Sequence, residues 1–133
     1  MLPLREHRPH GTKVSTEDIQ FEIEFFRGVV RRDPQCIEAL QLLGDAYTKT
    51  GQWRAGLKID ERLAKLCPDS PIVFYNLACS YSLLKHADEA LAALDRAIRL
   101  GYDDGEWLSQ DPDLTNLRGV PQFQEICQKL QKP

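Results

Sequence analysis

At an offset of 34 residues the chain lies over itself with matching residue classes: Leu40 falls on Phe74, Leu43 on Leu77, Gly44 on Ala78, Tyr47 on Tyr81 and Leu57 on Leu91. The register continues with Ala64 on Ile98 and Leu66 on Leu100, and one period earlier Val29 and Pro34 fall on Leu63 and Pro68. A period of this length with this pattern means stacked helical hairpins, because each hairpin leaves an apolar face that only its neighbour can bury. The expected fold class is all-α, an α-solenoid of antiparallel helix hairpins with about seven helices.

Local signals agree. Leu40, Leu43, Ala46 and Tyr47 recur at the spacing of one helical face, as do Phe74, Leu77, Ala78 and Tyr81. Ser70 before Pro71 offers a capping hydroxyl and a proline at the first helical position, so a helix starts there. Thr50-Gly51-Gln52 reverses the chain, Trp53 opens a helix running to Cys67, and Pro68 stops it. The second hairpin turns at Lys85-His86, and its return helix from Ala87 to Leu100 ends at Gly101.

These residues resemble the tetratricopeptide repeat family, whose signature is a large apolar residue, Leu-Gly/Ala, Tyr, later Ala and a closing Pro. The first copy reads Leu40, Leu43-Gly44, Tyr47, Gly51, Trp53, Pro68, and the second Phe74, Leu77-Ala78, Tyr81, Ala90, Ala97. Two copies cover roughly half of the chain. Gly56 and Asp60 depart from the pattern, Lys85 replaces the turn glycine, and Tyr102 replaces the closing proline. The resemblance implies a right-handed solenoid that binds proteins.

The organisation expected is an arm over 1–14 and a single domain over 15–133, divided into an N-terminal helix (15–34), a first repeat (35–68), a second repeat (69–102) and a degenerate C-terminal repeat or cap (103–133). Ser15 or Thr16 caps a helix from about Glu17 to Arg31, whose first turn holds Glu17 and Asp18, the charge sign that suits a helix N-terminus. Its stripe Ile19, Ile23, Phe26, Val30 packs on the first repeat, and Phe21, Phe25 and Val29 add a second apolar row. Either this broad face wedges between two helices, or Phe21 and Phe25 stay partly exposed and seat a partner or a second copy of the chain. At the other end Asp111-Pro112-Asp113 breaks the helix begun at Gly105, and Leu114, Leu117 and Val120 cover the open side of the second repeat. Pro121 starts a last helix with Phe123, Ile126, Cys127 and Leu130 on one face. This ending is similar to one seen in bacterial tetratricopeptide proteins.

Composition narrows the function. With 133 residues and a net charge of -3, the chain has no basic excess for gathering phosphates, so nucleic acid is not an expected partner. No apolar run approaches the ~20 residues of a membrane span, and the segment from Leu2 to Arg8 lacks the apolar stretch of a secretory signal. No membrane association and a cytoplasmic location are therefore expected. Cys36, Cys67, Cys79 and Cys127 form no C-x-x-C pair, which favours free thiols. His7 and His10 in the arm have no Cys or acidic cluster beside them, and Asp103, Asp104 and Glu106 lie in no twelve-residue calcium loop, so no metal is expected. No phosphate loop and no nucleophile–base pair stands at a useful spacing; His86, beside Asp88 and Glu89, reads as a solvated turn residue. The expectation is a protein that is not an enzyme and needs no cofactor.

Binding remains. In a stack of hairpins the first helices line the concave wall, which places Glu38, Gln41, Leu42, Asp45 and Thr48 of the first repeat and Ile72, Tyr75, Asn76, Cys79 and Ser82 of the second on a groove for an extended or helical segment of a protein partner. Tetratricopeptide domains that hold the acidic C-termini of chaperones carry lysine and asparagine on the first wall. Here Gln41 and Asp45 stand at those places, and although Asn76 matches the second wall, that reading fails. The competing readings are a homodimer assembled through Phe21 and Phe25 of the N-terminal helix, and a small-molecule carrier, which needs an enclosed cavity.

Overall fold

The computed structural model describes residues 16–131. These form seven α-helices, α1 (Thr16–Arg32), α2 (Ile37–Lys49), α3 (Trp53–Leu66), α4 (Pro71–Leu83), α5 (Ala87–Arg99), α6 (Gly105–Gln110) and α7 (Pro121–Gln131), with a 3-10 helix at Pro112–Leu117 between the last two. No strand occurs among the described residues. The arm with His7 and His10, and the capping hydroxyl of Ser15, lie outside them. Contacts group into two compact units, one ending at Pro68 and the other beginning at Asp69.

In the first unit α1 and α3 both pack on α2. Ile19, Ile23 and Val30 of α1, Leu40, Leu43, Ala46 and Tyr47 of α2, and Ile59 and Leu63 of α3 are buried. Gly56 of α3 faces α2 across the hairpin: a Cβ placed on it would lie 3.6 Å from the Tyr47 Cβ and 3.8 Å from the Gly44 carbonyl oxygen, ordinary contact distances. Asp60, standing where the family pattern has a bulky apolar residue, is fully buried.

In the second unit α4 and α5 form the hairpin, the 3-10 helix packs on α4, and α6 packs on α7. Ser70 caps α4, its Oγ accepting from the Val73 N–H at 3.3 Å, and Pro71 occupies the first turn. The break at Asp111-Pro112 ends α6 and re-aims the chain, so that Leu114 and Leu117 are buried and Asn116 Nδ2 donates to the Ser82 carbonyl at 2.8 Å. Leu114 and Leu117 thus do the covering expected of them; Val120 stays half-buried.

Both hairpins turn by the same device. After α2 the Gln52 N–H donates to the Tyr47 carbonyl and Gly51 takes a φ of 76°; after α4 the His86 N–H donates to the Tyr81 carbonyl and Lys85 takes a φ of 63°. The backbone repeats at the 34-residue offset although the side chain does not. A left-handed residue with a Cβ is strained by ~1–2 kcal/mol, so Lys85→Gly is expected to stabilise the chain by about 1 kcal/mol once glycine's larger loss of freedom is offset. Urea denaturation measures it, and a loss of stability would show that the Lys85 side chain holds the turn.

Candidate protein-interaction site

The expected groove residues do not share one fate. On α2, Glu38 is exposed and Gln41, Leu42 and Asp45 are half-buried. The side-chain oxygen of Gln41 is buried and accepts no hydrogen bond from the described residues. Asp45 forms an ion pair with Lys49 at 3.0 Å, one turn along the helix. Thr48 differs from expectation: it is buried, its Oγ1 donates to the Gly44 carbonyl at 3.0 Å, and it lies 3.6 Å from where a Gly56 Cβ would be. It faces into the hairpin, against Gly56 of α3.

On α4 the correction is larger. Ile72 keeps partial exposure, but Tyr75, Asn76, Cys79 and Ser82 are buried. The cause for Tyr75 and Cys79 is the chain's own C-terminal segment. The Tyr75 hydroxyl donates to Asp111 Oδ2 at 2.6 Å, the Cys79 thiol reaches the same oxygen at 3.7 Å, and the Tyr75 ring stacks on Tyr102 with centroids 4.4 Å apart and planes 14° off parallel. Asp111 Oδ1 accepts from the Asp113 N–H at 2.9 Å, capping the 3-10 helix. Expected as a capping residue beside a proline, Asp111 does cap; its second oxygen is the anchor that closes the second repeat.

Burial pushes the Tyr75 hydroxyl far above the ordinary tyrosine range, with the electrostatic effect of Cys79, Asp111 and Tyr102 and the hydrogen bond to Asp111 in the same direction. Its proton is therefore held, and the hydroxyl acts as a donor. A folded-state value raised above the unfolded one means that stability is intact below the unfolded value, here 10.0, and falls as pH rises beyond it. In a spectrophotometric tyrosinate titration, Tyr75 is expected to ionise only together with alkaline unfolding, and Tyr75→Phe to remove that step. Ionisation of all four tyrosines in the folded chain would contradict the geometry.

Cys79, Asp111 and Asp113 bring three donor atoms within 4.8 Å of one another. The Asp111 carboxylate is already engaged on both oxygens, by Tyr75 and Cys79 on one and by the Asp113 amide on the other, so the cluster is explained as a buried hydrogen-bond centre. Asp104, of the acidic cluster near the end of the second repeat, caps α6 by accepting from the Trp107 N–H at 3.0 Å. His86 lies 4.0 Å from Glu89 in a solvated turn. On α1, Phe21 and Phe25 are 71% and 56% exposed, which removes the alternative in which both are wedged between helices. No described helix is long and apolar enough to cross a membrane.

Residues 72–101, the second repeat, match the tetratricopeptide repeat family. The chain carries a tetratricopeptide repeat. Among curated proteins it is similar to a chloroplastic protein of Arabidopsis thaliana, 29% identical over 103 residues that make up 75% of this chain and 29% of that protein. It is 35% identical over 74 residues, 56% of this chain, to 19% of a TPR repeat-containing protein of Picosynechococcus. A third relative, the peroxisomal targeting signal receptor of Komagataella phaffii, is 27% identical over 124 residues, 92% of this chain and 21% of the receptor. The chain thus spans less than a third of the length of these relatives. The crystal structure of MamA shares the fold, with a TM-score of 0.71 over 90% of this chain and 72% of that one at 18% identity. The all-α helix-hairpin class expected from the 34-residue period is the class found, and tetratricopeptide repeats mark the chain as a protein–protein interaction scaffold in general terms.

Proposed function

We propose that the chain is a non-catalytic adaptor that receives an extended or helical segment of a partner protein on the α2 face formed by Glu38, Gln41, Leu42 and Asp45. The observation that carries this is the row on one side of α2 that its own hairpin leaves open: Glu38 exposed, with Gln41, Leu42 and Asp45 half-buried, an apolar side chain between an amide and two carboxylates. A partner offering an amide or a basic group next to an apolar side chain suits this surface, with the amide meeting Gln41, the cation meeting Asp45 and the apolar group lying on Leu42. Tyr75 and Cys79 are closed off by Asp111 and Tyr102, so the proposed surface is that of α2 itself. One relative is named a receptor for a targeting signal, a role of the same binding kind. A cytoplasmic setting is part of the same proposal.

The test places a photocrosslinking amino acid at position 42 and, separately, at position 92 on the exposed side of α5, then compares adducts formed in lysate. Adducts specific to position 42 that vanish with Gln41→Arg or Asp45→Lys, while circular dichroism is unchanged, support the reading. Equal labelling from both positions would reject it.

A further inference from the structure

The exposed side of α1 carries a second surface, independent of the α2 face. Phe21, Phe25, Gly28 and Arg32 follow one another at i, i+4, i+7 and i+11, on the side opposite the buried Ile19, Ile23 and Val30. Two phenylalanines at 71% and 56% exposure one turn apart make an apolar strip that a chain with no partner on this helix has no reason to keep.

Gly28 is the second observation. A glycine inside a helix carries a penalty that alanine would not. A Cβ on Gly28 would meet only the guanidinium ends of Arg32 at 3.6 Å and Arg31 at 3.9 Å, both on exposed side chains, so no packing within the described residues requires a glycine there. The Arg32 Nε donates to the Gly28 carbonyl at 3.3 Å, so its side chain lies back along the strip. Among the described residues, no other side chain reaches the gap above Gly28.

Charge selects the occupant. Glu17, Asp18, Glu22 and Glu24 occupy the N-terminal half of α1 and Arg27, Arg31 and Arg32 the C-terminal half. A parallel copy of this helix would set like charge on like, whereas an antiparallel copy sets each half against its complement. Glu24 and Arg31 are seven residues apart on one flank of the strip, and in an antiparallel pair that flank meets its own counterpart.

We propose that α1 is a self-association surface on which two copies of the chain pack antiparallel about a two-fold axis, Phe25 of each seated over Gly28 of the other and Glu24 facing Arg31. Phe21 then lies along the stem and guanidinium of the other copy's Arg32. The contact is isologous, so every substitution counts twice.

Light scattering after size exclusion, over a concentration series of the full chain, should give a mass of twice 15.2 kDa that falls toward 15.2 kDa on dilution. Phe25→Asp should raise the dissociation constant about a hundredfold or more, a tenfold loss entering at each of the two symmetric sites. Gly28→Gln fills the gap with a better helix former, so it should weaken the dimer while leaving or raising thermal stability of the monomer. Glu24→Arg and Arg31→Glu should each be monomeric alone, and an equimolar mixture should recover the doubled mass. A monomer at every concentration overturns the proposal, as does a dimer indifferent to Phe25→Asp or a mixture that fails to reassociate. A monomer destabilised by Phe25→Asp would overturn it too, by showing that the strip is covered within its own chain.

Discussion

Asp111→Ala is expected to destabilise the second unit by about 3 kcal/mol, because one carboxylate serves three donors. Removing it strips a buried tyrosine hydroxyl of its acceptor, at ~1–3 kcal/mol, and removes the cap of the 3-10 helix, at about 1 kcal/mol. The geometry behind these figures is the 2.6 Å bond from Tyr75, the 3.7 Å approach of Cys79 and the 2.9 Å bond from the Asp113 amide. Asp111→Asn keeps the shape and an oxygen for the Asp113 amide, so it should cost less, and Tyr75→Phe should fall between, since it leaves the Oδ2 atom with only a weak thiol donor. In a Trp53→Phe background the remaining Trp107 reports the second unit alone, which matters for a chain with two compact units. Urea denaturation followed at Trp107 should rank Asp111→Ala lowest. If Tyr75→Phe costs as much as Asp111→Ala, the hydroxyl rather than the carboxylate is the centre of the cluster.

The contrast between what is legible in the sequence and what is not runs through these same residues. Helix starts and stops are written locally: the Ser70-Pro71 cap, the Gly51 turn, the Pro68 and Pro112 breaks. The 34-residue period carries the hairpin pairing, because Tyr47 and Tyr81 or Pro34 and Pro68 report the same environment twice. The fate of α4 has no such signal. By analogy with a long stack, Tyr75 and Cys79 would look into a groove, but the partner of Tyr75 is 36 residues away, in a segment with no copy earlier in the chain. A hint does exist in Tyr102, which stands where the pattern calls for proline and supplies the ring on which Tyr75 stacks. A departure from a repeat pattern next to a repeat's end is where a solenoid closes, since the terminal face must be made polar or covered.

Thr48 departs from its expected place for a related reason. Its hydroxyl donates to the Gly44 carbonyl one turn back and it packs toward Gly56 of the other helix, a contact across the hairpin that the spacing along α2 does not report. Phe21 and Phe25 are compatible with two arrangements in sequence because periodicity alone cannot say how wide a face a neighbouring hairpin covers; α2 covers only the stripe through Ile19, Ile23 and Val30.

Gly105→Ala is expected to cost about 1–3 kcal/mol, the range for forcing a methyl group into a packed contact. A Cβ there would stand 2.7 Å from the Leu130 Cβ and 2.9 and 3.0 Å from its carbonyl carbon and oxygen. Two of those atoms are backbone, so no rotamer change of Leu130 relieves the overlap, and the end of α7 must move away from α6. The bond from Gln131 Nε2 to the Gly105 carbonyl, already 3.5 Å, would be lost with it. Gly56→Ala is the control: its nearest neighbours would be at 3.6 Å, ordinary contact, and the gain in helix propensity of about 1 kcal/mol should leave it neutral or stabilised. A double-mutant cycle isolates the cause. Ending the chain before Leu130 removes the overlapping atoms, so in that background Gly105→Ala should cost little, and a cost as large as in the full chain would place the strain in the first turn of α6 instead of against α7.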